Sequence, residues 1–417
     1  MRDALLLATA ILAYFLSLGA YGLVTHRRAF GHPSSLQATR SRSPLSRISR
    51  IKFPWQKKDN GVDAPPTAGS GMDQHAPNLG VLPPPQPQVI VPLLGTADAM
   101  PALGLGTWKL EKSSCAQTVL RALKLGYRHI DCAADYGNEK QVGEGIRLAI
   151  AEGVVASRRD IFVASKLWNT FHDPAHVPLA LKKTLDDLGL EYLDLYLIHF
   201  PVALAYVPIE KRYPPGWVDP TDKEPTIHFA NVPLQKTWRA MESLVTETGR
   251  VRNIGVSNIK AAQLWDLLTY AKIPPAVIQV ERHLYNQQSA LVKLCRGRRI
   301  TCVGYSPLGS NSYVGLGLAS GEGPCDKAAE EPAVRALALR LGKTPAQVLL
   351  RWNFQTSMGG TIPKSSKPGR LAENLDVFDF ELTDEDIASL APLDRKHYFN
   401  DPAVFMPQWH SWCPLLD

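Results

Sequence analysis

IFVASKL (161–167), LALKKTLDDLGL (179–190) and LDLYLIHF (193–200) read in order as a strand, a helix and a strand. The outer runs are short and apolar, while the middle one spaces apolar residues three and four apart. The pattern repeats outward in both directions. Strand-like runs stand at ALGLGTW (102–108), HIDCA (129–133), NIGVS (253–257), VIQVE (277–281), TCVGYSP (301–307) and GGTIPKS (359–365). Helical segments such as CAQTVLRALKLG (115–126) and AVRALALRLG (333–342) lie between them and end on glycine. Eight apolar strands, each with a following helix, predict a closed α/β barrel, the (β/α)8 TIM fold, rather than an open sheet. The span from 102 to about 375 suits a fold of about 250 residues.

Polar residues then cluster where such a barrel builds its site, at the C-terminal strand ends: Asp131, Lys166, His199, Ser257, Asn258, Gln279, Tyr305, Ser306, Lys364 and Ser365. Tyr136 closes the run HIDCAADY (129–136). Singly, each has a structural explanation: a satisfied core histidine, a turn-ending tyrosine, a snorkelling lysine. Together, a tyrosine, a lysine, a carboxylate and a histidine on one rim can protonate a carbonyl oxygen while hydride reaches its carbon. There is no HExxH and no P-loop, and the glycines of GLGLGTW lie in a strand instead of opening a helix, so the Rossmann fingerprint is not met.

Composition narrows the partners. The net charge of +7 suggests nucleic acid only until its distribution is read. Between Asp3 and Asp59 there is no acidic residue but nine basic ones, Arg27 to Lys58, which outnumber the whole surplus. The remaining body is close to neutral, and no nucleic-acid partner is expected. Residues 1–28 carry an apolar stretch from Ala4 to Val24 followed by His26, Arg27 and Arg28. Twenty-one residues at a 1.5 Å rise cover about 30 Å, a bilayer's hydrocarbon thickness. The basic flank predicts a signal-anchor with the barrel facing the cytosol. The Ser/Arg-rich run TRSRSPLSRISRIK supports the alternative, a leader cleaved on entry to a plastid or mitochondrion. Residues 29–87, basic and then Pro/Gly-rich, read as a disordered linker. The barrel is assigned 88–402 and a C-terminal loop 403–417. Six cysteines show no CxxC and no zinc spacing, so no metal is expected, and Cys132 reads as core.

The chain resembles the aldo-keto reductases, in their xylose reductase/aldose reductase branch. Blocks in family order carry the resemblance from Met100 to Pro402: GLGTWK, DCAADYGNEKQVGEGI, SKLWNTFHDP, DLYLIHFP, VPIEKRYPPGW, IGVSN, QVERHLYNQQ, YSPLG, LLRW, IPKSSKPGRLAEN and FNDP. It implies carbonyl reduction with NADP(H). Tyr136 then matches the general acid, with Lys166, Asp131 and His199 completing a tetrad. A free phenol near pKa 10 is a weak acid at neutrality, and an adjacent ammonium is expected to lower it. Tyr305 matches the residue stacking on the nicotinamide, and Ser257, Asn258 and Gln279 those holding its carboxamide. Ser306, Leu308 and Ser310 fall at the pyrophosphate clamp, Lys364, Ser365 and Arg370 at the 2′-phosphate, and Glu373 and Asn374 at the adenine. Ser366 after the Lys-Ser pair favours NADPH over NADH.

For substrate, the resemblance places Trp108, His199 and Phe200 in the pocket, with Asp135 and Asn400 near sugar hydroxyls. Trp409 and Trp412 are set either in that pocket or against the barrel. A sugar aldehyde is the first expected substrate class, and an aromatic or lipid-derived aldehyde the second. The rival expectation is a barrel that binds NADP(H) as a sensor and turns over little; the complete tetrad argues against it.

Overall fold

The computed structural model of the protein describes residues 88–93, 95–219, 221–223, 226–309, 311–314, 327–357, 359–405 and 415. The apolar leader and linker read over 1–87, Ser310, Trp409 and Trp412 lie outside the described residues. Among the described residues no helix is long and apolar enough to cross a membrane.

Among the described residues there are ten strands: β1 (Ile90–Pro92), β2 (Ala99–Pro101), β3 (Leu105–Gly106), β4 (His129–Asp131), β5 (Phe162–Leu167), β6 (Leu193–Ile198), β7 (Val251–Ser257), β8 (Val277–Glu281), β9 (Thr301–Tyr305) and β10 (Gly360–Thr361). β3 to β10 form one parallel sheet in sequence order, each strand beside its successor. The sheet closes on itself: Leu103 bridges Thr361 in parallel, the Gly104 N–H donates to the Thr361 carbonyl at 2.9 Å, and the Thr361 N–H donates to Ala102 at 2.8 Å. This is the expected (β/α)8 barrel. β5 and β6 are buried along their whole length, which explains why they read as continuous apolar runs.

The helices stop where the glycines require. Lys112–Leu125, Val177–Leu188 and Pro332–Leu341 end immediately before Gly126, Gly189 and Gly342, each left-handed (φ 112°, 63° and 63°). The middle helix therefore ends two residues earlier than its apolar spacing suggests, because Gly189 takes the conformation that side chains resist.

One element was not anticipated. β1 and β2 form an antiparallel hairpin ahead of the barrel. Its Leu93 and Met100 are buried against Phe162, Leu195, Val277 and Val303, which begin or line the barrel strands. Asp98 accepts from Nδ2 of Asn253 at 2.7 Å, and Nδ1 of His129 lies 3.1 Å from the Pro101 carbonyl. The hairpin thus closes the N-terminal mouth, leaving the opposite rim for the site.

Candidate active site

Alternation along the strands builds the site. Phe162 and Ala164 face the barrel interior, so Lys166, on the same parity, does too. Leu195 and Leu197 likewise aim His199 inward, Val277 aims Gln279 and Glu281, and Val303 aims Tyr305. These positions all fall at the C-terminal rim.

Lys166 is the hub. Its ammonium donates to Oδ1 of Asp131 at 2.6 Å, to the Cys132 carbonyl at 2.8 Å and to the Tyr136 hydroxyl at 3.2 Å. Three N–H groups meet three acceptors, so a lysine that is 1% exposed is fully satisfied. The other Asp131 oxygen accepts from Nε2 of Gln279 at 2.7 Å. Gln279, expected only at the cofactor carboxamide, also supports Asp131 from behind.

The hydroxyl of Tyr136 receives the lysine's hydrogen bond on its oxygen, which leaves its own proton to be donated. The expectation that Lys166 lowers the phenol's pKa is not met. Burial pushes it well up, and the nearby Asp131 and Asp135 carboxylates push the same way. The phenol stays protonated at neutral pH, with the lysine holding its oxygen in place.

His199 stacks on Phe200 (centroids 5.0 Å, 20°) and meets Tyr136 edge-on at 5.9 Å. Its Nδ1 lies 3.2 Å from Oδ1 of Asp135, in ion-pair range but without hydrogen-bond alignment. Trp168 stands edge-on to His199 at 5.3 Å and to Trp217 at 5.1 Å. Its indole N–H donates to the Gly216 carbonyl at 3.0 Å. These two tryptophans, absent from the sequence reading of the pocket, extend its apolar wall beyond Phe200. The signal for Trp168 was its place two residues past Lys166 on the same strand end.

The pocket's other side is aromatic as well. Trp108 lies 5.5 Å from Tyr313, and Tyr313 stacks on Phe399 (5.6 Å, 16°). Tyr313 also shares a hydrogen bond with Oγ of Ser306 at 2.8 Å, and Ser306 is left-handed (φ 49°). Leu308 packs against the cluster around Leu284, Tyr285 and Trp352.

The expected cofactor positions divide into two groups. Around the ring site, Asn258 is left-handed (φ 57°), which asparagine tolerates, and its Nδ2 donates to the His199 carbonyl at 2.9 Å. The Tyr305 hydroxyl donates to Oδ1 of Asn258 at 2.6 Å, and Oγ of Ser257 donates to the Gln279 carbonyl at 2.8 Å. At the phosphate end, Lys364 and Arg370 are exposed and Ser365 is buried. Oε1 of Glu373 is held by Thr344 at 2.5 Å, and Asn374 is buried against the Tyr127 phenol, so both are tied into the fold.

Lys109, which the sequence reading did not single out, joins the phosphate group. Burial lowers its pKa and the charge of Lys364 lowers it further, so two cations face one region. An anion there relieves that repulsion, and the residues present fit a phosphate-bearing nucleotide. No cluster of metal-ligating side chains occurs among the described residues. Cys132 is buried, and burial pushes its thiol well up, consistent with core packing.

The model of the Aldo/keto reductase family matches residues 102–395. The NAD(P)H-dependent D-xylose reductase I,II of Candida tropicalis is 46% identical over 309 residues, 74% of this chain and 94% of its own length. The NADPH-dependent aldose reductase of Saccharomyces cerevisiae is 47% identical over 310 residues, again 74% and 94%. Among solved structures, the Bombyx mori aldo-keto reductase in complex with NADP matches with a TM-score of 0.67 at 34% identity, covering 80% of this chain and 99% of that one.

Proposed function

The chain belongs to the aldo/keto reductase family, and on that premise we propose that it reduces aldehydes to alcohols with NADPH. Sugar aldehydes of the D-xylose type are its first substrate class, and aromatic or lipid-derived aldehydes its second. The observation that carries this is the saturated Lys166 ammonium, which fixes the Tyr136 oxygen and leaves the phenolic proton to the pocket.

When bound, the nicotinamide supplies the hydride that reaches the carbonyl carbon. Tyr136 delivers its proton to the carbonyl oxygen, and Lys166, held by Asp131, stabilises the charge left on the phenol oxygen. His199, fixed between Phe200 and Trp168, orients the carbonyl. Tyr305, Asn258, Ser257 and Gln279 would hold the ring; Lys109, Lys364, Ser365 and Arg370 would meet the phosphates, the cationic set favouring NADPH over NADH. Trp108, Phe200, Trp168 and Trp217 exclude water, while Asp135 and Asn400 offer hydrogen bonds to a polyol chain.

A complete tetrad favours an enzyme over an NADP(H) sensor. Attachment to a membrane through the apolar residues 4–24, with the barrel toward the cytosol, belongs to the same proposal and rests on the sequence alone. Fractionation of the full chain, with the alkaline-carbonate pellet scored, tests it: release into the supernatant would remove the anchor.

The function is tested by following NADPH consumption with D-xylose and an aromatic aldehyde offered separately, and NADH as the alternative donor. Turnover of D-xylose supports an aldose reductase, and turnover of the aromatic aldehyde alone moves the substrate to the second class. Tight NADPH binding without turnover of either overturns the enzyme in favour of the sensor.

A further inference from the structure

The end of β8 carries a buried carboxylate that the reduction chemistry does not use. Glu281 is 1% exposed and faces the rim on the same parity as Gln279. Its Oε1 accepts from the Phe399 backbone N–H at 2.8 Å and from Nε2 of His283 at 3.0 Å. Its Oε2 accepts from the Asn400 backbone N–H at 3.0 Å. A buried carboxylate is costly to hold, and this one is satisfied largely by two consecutive amides of a segment 118 and 119 residues away in sequence.

The Asn400 side chain carries the bonds onward. Nδ2 of Asn400 donates to the Tyr305 hydroxyl at 3.1 Å, Tyr305 donates to Asn258, and Asn258 donates to the His199 carbonyl. Glu281 and Tyr305 are also register partners on β8 and β9, so the strap and the ring it lies over share one foundation. We infer that Glu281 is a positioning residue: it straps the Phe399–Asn400 segment over Tyr305 and so sets where the Asn400 amide meets the substrate's hydroxyls. The inference deepens the sugar-aldehyde reading and rests on it for its kinetic consequence.

Glu281→Gln is the informative change. Three N–H groups point at two oxygens, and an amide replaces one oxygen with a donor, so at least one strap bond must break whichever way it turns. The full chain is assayed with NADPH on D-xylose and on an aromatic aldehyde without hydroxyls. Glu281→Gln is expected to raise KM for D-xylose by about tenfold, and to lower kcat/KM for the aromatic aldehyde by less than about threefold. In an Asn400→Ala background the same change should move D-xylose KM by less than about twofold. Equal losses on both aldehydes, or losses that multiply in the double variant, overturn the inference.

Should Glu281→Gln not fold, amide exchange in the unaltered protein decides. The Phe399 and Asn400 amides are expected to exchange about 100-fold or more slowly than an open chain, and free exchange at both overturns the strap. If the protein reduces no sugar at all, the substrate reading fails while the exchange result still stands or falls by itself.

Discussion

Nδ1 of His199 and Oδ1 of Asp135 stand 3.2 Å apart on the rim, close enough to attract but not aligned to hydrogen-bond. Both atoms are buried with unspent polar capacity, which is unfavourable unless a substrate group completes it. Asp135→Asn keeps the shape and removes the charge. It is expected to cut kcat/KM for D-xylose by about tenfold, mostly through KM. Steady-state kinetics at saturating NADPH checks this.

Tyr136→Phe deletes the hydroxyl to which Lys166 donates. Turnover should fall by about 1,000-fold or more, because the transition-state proton has no donor. NADPH affinity, read by quenching of tryptophan fluorescence, should stay within about threefold. Retained turnover would remove Tyr136 as the acid.

Asp131→Asn leaves the Lys166 charge in a dry interior with its strongest partner neutralised. Breaking a buried pair this way costs about 3–5 kcal/mol, which chemical denaturation will report as a lower midpoint. Adding Lys166→Met should recover much of that stability and none of the activity. Recovery of both would make the pair purely structural.

Arg370 is exposed on the first turn of the helix Pro368–Leu375, just after Lys364 and Ser365. Arg370→Ala should weaken NADPH by about tenfold and NADH by less than about twofold, since only NADPH carries the extra phosphate. Titrating both dinucleotides checks it, and equal weakening would refute the assignment.

Stability should respond to pH through Glu139. Its buried carboxyl accepts from Ser165 at 2.7 Å, Tyr213 at 3.1 Å and Thr184 at 3.4 Å, yet burial still pushes its pKa from 4.5 up to about 7. Between those values the folded protein keeps a proton that the unfolded chain has lost. The resulting stability is complete below 4.5 and lost as pH rises through 7, on the order of 3 kcal/mol in all. His172, which burial pushes down to about 3, works oppositely below 6.5. The difference in unfolding free energy between the protein and Glu139→Gln across pH 5–8 therefore isolates the carboxyl. A difference that does not change with pH would rule the effect out.

How far the sequence carried can be judged residue by residue. Lys166 and His199 were readable because each stands at the end of a short apolar run, visible in IFVASKL and LDLYLIHF alone. The hairpin was not, since IVP and AMP are three residues each and carry no period. Gln279 was seen as a cofactor contact, but its bond to Asp131 spans 148 residues and exists only once the barrel closes. The net direction of the Tyr136 shift is not legible in sequence, because an adjacent ammonium can be inferred from a motif, whereas depth of burial cannot. Glu281 looked like the last residue of a strand, and its partners 118 and 119 residues further on gave no local trace.

The hairpin that closes the barrel's base also fixes the polarity of any handle placed there. Val89 and Ile90 are 36% and 54% exposed and lie at the end opposite Tyr136. A cysteine substituted at either position gives a coupling point for an electrode or bead from which the catalytic mouth points outward, whereas coupling through residues near Asn400 would cover it. For a reductase that must exchange both a dinucleotide and an aldehyde through one opening, the end by which it is fastened decides whether the immobilised protein works.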